Sequence, residues 1–304
     1  MYYVNMEYDK INKDVGFIES THTYKNLKDN SINYTSVTTL IERYGKPFDK
    51  EFVSKYKALE RILSPNDWKK EKGGLWKNHN IPSDFLEVYN ISESELNKVQ
   101  QDILDEWANT NRIACERGTK IHSQLENSFY NAGSNITLKK FGIGGKFECK
   151  KNYNELDMEY GIYPEYLIYY DNPKVGLHIA GQIDLLVKNG NEINIIDHKT
   201  NAKIDTKGFY NSSTRSTDKM LYPLTNLDEC NFNHYQLQLS TYAWMIQKIN
   251  PDFVIKNLIL NHYDHDGKNT LYNCSYLKDE VEKMLKHFVK QSKLEQQRKK
   301  YERI

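Results

Sequence analysis

Two runs rich in β-branched residues, Ile179 to Val187 and Ile193 to Lys199, are separated only by Lys188-Asn189-Gly190-Asn191-Glu192. This arrangement restricts the fold more tightly than any other feature of the chain. Asn-Gly between two such runs is the strongest short-range signal for a β-hairpin, because a type I′ turn needs a positive φ at both central positions. With Asn189-Gly190 as the turn, Lys188 pairs with Asn191, Asp184 faces Ile195, and Asp197 lies diagonal to Asp184. Side chains two apart share a face, and diagonal neighbours lie about 7–8 Å apart. Asp184, Asp197 and Lys199 therefore gather on one face. His198 points to the other, and its backbone carbonyl stays free as a hard oxygen ligand. A slip of one residue would send the two acids to opposite faces, so the reading depends on register.

Ile183, Leu185, Leu186, Ile193, Ile195 and Ile196 make both strands nearly continuously apolar, as expected of a hairpin covered on both sides. Acids and a lysine embedded there are costly unless paired or bound to metal. A site is a better reading of them than a solvated face.

The order acid, then acid-x-lysine on the next strand, resembles the PD-(D/E)XK nuclease superfamily through Asp184, Asp197 and Lys199, with Ile183 where that name has proline. Within it the chain is similar to the RecB-like branch, which includes phage exonucleases, the mitochondrial genome maintenance exonuclease and CRISPR-associated adaptation nucleases. The upstream R-G-x-x-x-H motif is matched by Arg117-Gly118-Thr119-Lys120-Ile121-His122, and the downstream Q-L-x-x-Y motif by Gln238-Leu239-Ser240-Thr241-Tyr242. Thr21-His22-Thr23-Tyr24, Ser36-Val37-Thr38-Thr39-Leu40 and Lys46-Pro47-Phe48 look like the phage and mitochondrial members. The resemblance is firm over residues 110 to 245 and looser before them.

The resemblance implies an α/β (α+β) restriction-endonuclease-like fold, an αβββαβ core whose mixed sheet is flanked by helices. It divides the chain into an accessory region of short strands and helices (1–95), a nuclease core (96–276) and a charged C-terminal helix (277–304). Asp184, Asp197 and the His198 carbonyl are expected to hold one ion, and His122 with Asp184 to support the same ion or a second. Oxygen donors with one imidazole favour Mg²⁺ or Mn²⁺. Lys199 is expected to orient the attacking water. Gln238 and Tyr242, four apart on one helical face, support the site or the DNA backbone, with Arg117 and Lys203 as further substrate-binding or supporting residues.

The implied substrate is DNA, as single strands or duplex ends, cut by an exonuclease in recombination, replication or phage DNA processing. The alternatives are a structure-specific endonuclease and a non-catalytic nucleic-acid-binding subunit of a larger nuclease complex. A helicase, recombinase or single-strand-binding protein is the expected kind of partner. The chain has no G-x-x-x-x-G-K-S/T loop, so any motor belongs to another chain.

With 42 basic against 41 acidic residues, net charge alone does not announce nucleic acid. A nuclease can nonetheless be locally basic, because its acidic site lowers the sum that its substrate channel raises. Cys115, Cys149, Cys230 and Cys274 are too dispersed for a zinc ribbon or a C-x-x-C pair, and no iron–sulfur cluster is expected. No signal peptide or long apolar run is seen, which predicts a soluble cytoplasmic protein with no membrane contact.

Along the chain, residues 1 to 35 read as short strands, with Ser36 or Thr38 capping a helix that carries Leu40 and Ile41. Residues 45 to 95 read as helices broken by loops. Ile103, Trp107, Ala114, Ile121, Leu125 and Phe129 form a helical stripe that leaves room for a break near Asn109 to Asn111, and His122 shares a face with Glu126. After a loop around Gly142 to Gly145, Glu165 to Tyr170 is the first core strand. Glu165 is either the glutamate that RecB-like proteins often carry there or an exposed strand residue. Thr200 to Asn231 is aperiodic and holds Lys203, Lys207, Arg215 and Lys219; such long loops are usually functional or disordered, and both readings stand. A helix over Phe232 to Ile249, a final strand over Phe253 to Tyr263, an Asp-His-Asp-Gly turn and a charged helix from Leu277 complete the chain.

Overall fold

The computed structural model describes residues 8–150, 159–211 and 215–301. Residues 1–7 of the expected first strands, 212–214 of the long loop and 302–304 of the last helix lie outside the described residues. The chain divides into two compact units, one made of Met1–Lys46 with Lys120–Ile304 and the other of Pro47–Thr119.

In the larger unit β1 (Lys10–Asn12), β2 (Val15–Ile18) and β3 (Thr23–Asn26) form a small antiparallel sheet. Its Val15, Phe17 and Tyr24 pack with Leu167 and Ala180 of the main sheet. β4 (Thr35–Ser36) leads into α1 (Val37–Glu42), and Ser36 is the cap, accepting from the Thr39 amide at 3.0 Å. That bond satisfies one of the donors the first turn leaves without a partner.

The smaller unit contains α2 (Lys50–Ile62), α3 (Pro65–Asn78), the single turn α4 (Phe85–Val88) and the first part of α5 (Glu93–Ala132). Ala58, Leu59, Trp68, Leu75, Phe85 and Ile103 are its core. α5 runs unbroken through Asn109 to Asn111. There Thr110 Oγ1 donates to the Glu106 carbonyl at 2.8 Å, and the Arg112 guanidinium reaches Asn109 Oδ1 at 2.9 Å and Glu116 at 2.7 Å. The side chains that compete with helical backbone are thus satisfied along the helix surface.

In the larger unit, β5 (Ile136–Leu138) and β6 (Ile143–Phe147) form a hairpin where a loop was expected. Next come the three central strands, β7 (Gly161–Asn172), β8 (Leu177–Asn189) and β9 (Glu192–Lys199), consecutive and antiparallel. The β8–β9 turn is not the expected one. Asn189 pairs with Glu192, so Gly190 and Asn191 are the loop residues, with Gly190 at φ +60. A positive φ at the first central position alone is the type II′ arrangement, which Gly suits and which leaves Asn189 free to join the ladder. The shift moves each cross-strand partner by two residues and so keeps every side chain on its expected face.

In the stretch from Thr200 to Asn231, β10 (Tyr210–Asn211) pairs with β11 (Ser216–Thr217). The Met220 amide donates to Leu227 O at 3.0 Å and the Leu221 amide to Tyr44 O at 2.8 Å, so this part of the loop is tied to the fold. α6 (Asn231–Ile249) follows, then β12 (Val254–Tyr263), parallel to β9. β12 is not the final strand. β13 (Asn269–Cys274) pairs with it across the Asp264–Gly267 turn, and α7 (Lys278–Tyr301) ends the described chain.

The result is a mixed six-stranded sheet, β13-β12-β9-β8 with β7 on the far edge of β8 and β4 parallel to the start of β8. The order helix, three strands, helix, strand is the one expected of an α+β fold. Leu40 of α1, Leu239 and Met245 of α6 and Met284 of α7 pack with Leu186, Ile195 and Leu260 of the sheet. Phe129 of α5 packs with Ile162, Leu185 and Ile196 in a second cluster. Truncating one such fully buried aliphatic side chain to alanine costs about 2–5 kcal/mol. Among the described residues no helix is long and apolar enough to cross a membrane.

Candidate metal centre

Three acids stand abreast on three adjacent strands. The β7–β8 ladder pairs Pro164 with Leu185 and Tyr166 with Ile183, so Glu165 is level with Asp184. The β8–β9 ladder runs to Leu185 and Ile196, and its next step sets Asp184 level with Asp197. The ladder ends there because a side chain replaces the backbone acceptor: Asp184 Oδ2 takes the His198 amide at 2.6 Å. Glu165 itself has φ +49, a left-handed conformation within a strand. A residue without the freedom of glycine adopts it at a cost of about 1–3 kcal/mol, and such strain concentrates at functional sites.

α5 brings His122 over this row. Its Nδ1 lies 3.6 Å from Glu165 Oε1 and 3.6 Å from Asp184 Oδ2, while its Nε2 lies 3.0 Å from the His198 carbonyl. A carbonyl only accepts, so Nε2 is the donor. Burial opposes a charge on this ring, but Asp184 and Glu165 prevail and lift His122 to about 9. Asp184 rises to about 7, first through burial and then through repulsion from Asp197. Glu165 goes the other way. Burial would raise it, but His122 and Lys10 hold it below its ordinary value. Lys10 reaches in from β1, with Nζ 3.5 Å from Glu165 and 3.5 Å from Glu126.

A second layer fixes the lysine. Lys199 Nζ is 2.7 Å from Asp197 Oδ2, 3.2 Å from Gln238 Oε1 and 4.6 Å from the centre of the Tyr235 ring. Burial disfavours its charge, yet Asp197 and Asp184 raise it above the usual lysine range. Gln238 donates through Nε2 to Asp197 Oδ1 at 3.3 Å and to the Tyr242 hydroxyl at 3.2 Å. The amide is therefore oriented by charge, oxygen toward the ammonium and nitrogen toward the carboxylate. Gly181 makes room for this layer, since a Cβ there would lie 2.6 Å from the Tyr242 ring.

Asp184, Asp197, Lys199, His122, Gln238, Tyr242 and the His198 carbonyl are thus brought together. The carbonyl is not free, as expected from the sequence, but is the partner of His122. The buried His198 ring accepts at Nδ1 from Asn261 at 2.9 Å and stands edge-on to the His122 ring at 6.0 Å, and burial with nearby cations pushes it down to about 3. Of the other two expected supporting residues, Arg117 is half-buried on α5 and the Lys203 ammonium pairs with Asp205.

Glu165, Lys10 and Tyr235 are the additions. The sequence left Glu165 open, and nothing in local pattern signals that a short N-terminal strand delivers Lys10.

His122, Glu165 and Asp184 offer one ligand atom each within 4.8 Å of one another. Asp197 adds a buried carboxylate, whose Oδ2 is paired with the Lys199 ammonium at 2.7 Å. Hard carboxylate oxygens and one imidazole fit a divalent cation.

No family model and no curated protein matches the chain. Two solved structures are similar in part. The crystal structure of SSO0001 superposes with TM-score 0.33 at 13% identity, covering 85% of this chain and 75% of the other. A provisionally assigned exonuclease from Eubacterium rectale superposes with TM-score 0.30 at 11% identity, covering 83% and 77%. Both superpose too loosely to bear on function, which rests on the residues above.

Proposed function

We propose that the chain is a metal-dependent deoxyribonuclease of the PD-(D/E)XK, RecB-like kind that hydrolyses DNA from an end. The observation that carries this reading is the convergence of Asp184, Asp197 and Lys199 with Glu165 and His122 in one half-buried cluster. The donor set suits Mg²⁺ or Mn²⁺, held by the Glu165, Asp184 and Asp197 carboxylates with His122. When bound, such an ion supplies the Lewis acidity and charge neutralisation that phosphodiester hydrolysis requires.

The residues divide the remaining work. The Lys199 ammonium, kept charged by Asp197 and Asp184, orients a water for in-line attack and stabilises negative charge as that water loses its proton. Being cationic, it is not the base. Gln238 holds Lys199 and Asp197 in one geometry, and Tyr242 backs Gln238. His122 Nε2 ties the site to the His198 carbonyl.

The deciding experiment is digestion of end-labelled single- and double-stranded DNA by wild type and Lys199→Ala, with Mg²⁺ or Mn²⁺ and with EDTA, beside a covalently closed circle. Metal-dependent loss of the label, an intact circle and an inactive variant are expected. A variant as active as wild type sinks the assignment, and a degraded circle replaces exonuclease with endonuclease.

A further inference from the structure

We propose that a groove between the loop that begins at Tyr222 and α7 is a second nucleic-acid site, which holds a short single-stranded segment by stacking and charge. The groove encloses about 1010 Å³, and none of its lining residues belongs to the metal centre. One wall is α7, where Lys283, Lys286 and Lys290 lie three and then four residues apart, on one helical face. All three are exposed, and among the described residues none is within ion-pair distance of a carboxylate. Glu280, the acid at the rim, is engaged by Asn226 Nδ2 at 3.0 Å.

The opposite wall offers an aromatic face. Tyr222 is 70% exposed, although its loop is secured by buried Leu224 and by the bond from the Leu221 amide to Tyr44 O at 2.8 Å. The His287 ring meets Tyr222 edge-on at 5.3 Å, and His287 Nδ1 is in turn 3.2 Å from the Tyr44 hydroxyl. A rigidly mounted aromatic ring left in water beside three unpaired ammonium groups is a poor arrangement for folding. It suits a ligand with both a flat apolar face and a run of negative charge.

Spacing narrows the ligand. Seven residues of helix rise about 10 Å, the length of about three nucleotides at roughly 3.4 Å each along a stacked strand. A duplex would hide its base faces from Tyr222, so the occupant is an unpaired strand. The choice of nucleic acid over another polyanion rests on the nuclease reading, whereas the groove and its charges do not.

The test is fluorescence anisotropy of labelled oligothymidylate on the full chain in EDTA, across a salt series. A matched abasic strand serves as second probe and heparin as competitor. Lys283→Ala/Lys286→Ala/Lys290→Ala should flatten the slope of log affinity against log salt by about 2, since each phosphate that an ammonium neutralises adds about 0.7 to it. Tyr222→Ala should weaken the thymidylate about 10-fold without changing the slope and leave the abasic strand unaffected, while Tyr222→Phe should bind like wild type. An unchanged slope in the triple variant, an equal Tyr222→Ala effect on both strands, or lysine-dependent binding of heparin alone overturns the proposal. Circular dichroism melts of each variant separate misfolding from weakened binding. DNA cleavage by wild type is scored independently. If it fails while the lysines still control binding, the nuclease reading falls and the groove stands.

Discussion

Glu165 and Asp184 stand level on neighbouring strands, and their carboxylates face the same nitrogen, His122 Nδ1, at 3.6 Å each. Three acids in a row, with Lys10, Lys199 and the His122 ring against them, crowd charge into a cluster partly screened from water.

The first prediction follows from that crowding. Glu165→Gln and Asp184→Asn should each weaken Mn²⁺ binding, measured by isothermal titration, on the order of 10–100-fold. In EDTA the sign reverses for stability. Asp184→Asn removes the acid that burial and Asp197 make most costly to ionise, so its melting temperature should rise by a few degrees, about 1 kcal/mol. Unchanged affinity in both variants excludes the cluster as the metal site.

Lys10 gives a prediction of the opposite kind. Its ammonium lies between Glu165 and Glu126 and competes with any ion for the same oxygens. Lys10→Met should tighten Mn²⁺ binding severalfold at pH 8 and lower the metal-free melting temperature, because Glu126 loses its lysine partner and Glu165 is left with His122 alone. Weaker binding in this variant would mean that Lys10 positions Glu165 for the metal and does not compete with it.

Much of the site was legible because the strand period is exactly two residues, written plainly in the positions of Asp184, Asp197 and Lys199. Their common face survived a wrong turn. In Asn189-Gly190-Asn191 the glycine can serve as second or first central residue, and the two choices differ by an even step that leaves each face intact. Glu165 was only half legible, offered by the sequence as a site glutamate or an exposed strand residue, since its place depends on a positive φ inside a strand that no periodicity encodes. β13 was missed because a short edge strand with alternate residues half-buried looks like the loop after a turn. The continuity of α5 was hidden in Asn109, Thr110 and Asn111, whose breaking tendency is cancelled by hydrogen bonds along the helix surface.

The cysteines make a prediction about reactivity. Cys115 is exposed on α5, whereas burial raises the Cys230 thiol and pushes Cys274 up to about 12. The thiolate is the nucleophile, and a thiol with a pKa near 12 is ionised to only about one part in ten thousand at pH 8. Intact mass spectrometry of the native protein with iodoacetamide should therefore show Cys115 modified first, with Cys230 and Cys274 reacting only after denaturation. Rapid native modification of Cys274 would contradict the packing of β13.

The close approach of Gly181 to Tyr242 gives the last prediction. A methyl group at Gly181 would meet the Tyr242 ring at 2.6 Å, and that ring cannot simply move, because its hydroxyl accepts from Gln238, which in turn holds Asp197 and Lys199. Gly181→Ala should therefore destabilise the fold by about 1–3 kcal/mol, as overpacking does in a dense interior. It should also disturb the lysine layer from a position that touches neither metal nor substrate. Tyr242→Phe provides the control. It loses the hydroxyl and strands one Gln238 donor at a cost of about 1 kcal/mol, but keeps the ring in place. Thermal melts should thus rank wild type above Tyr242→Phe and Tyr242→Phe above Gly181→Ala. If Gly181→Ala melts with wild type, the close approach of β8 and α6 at this point is wrong.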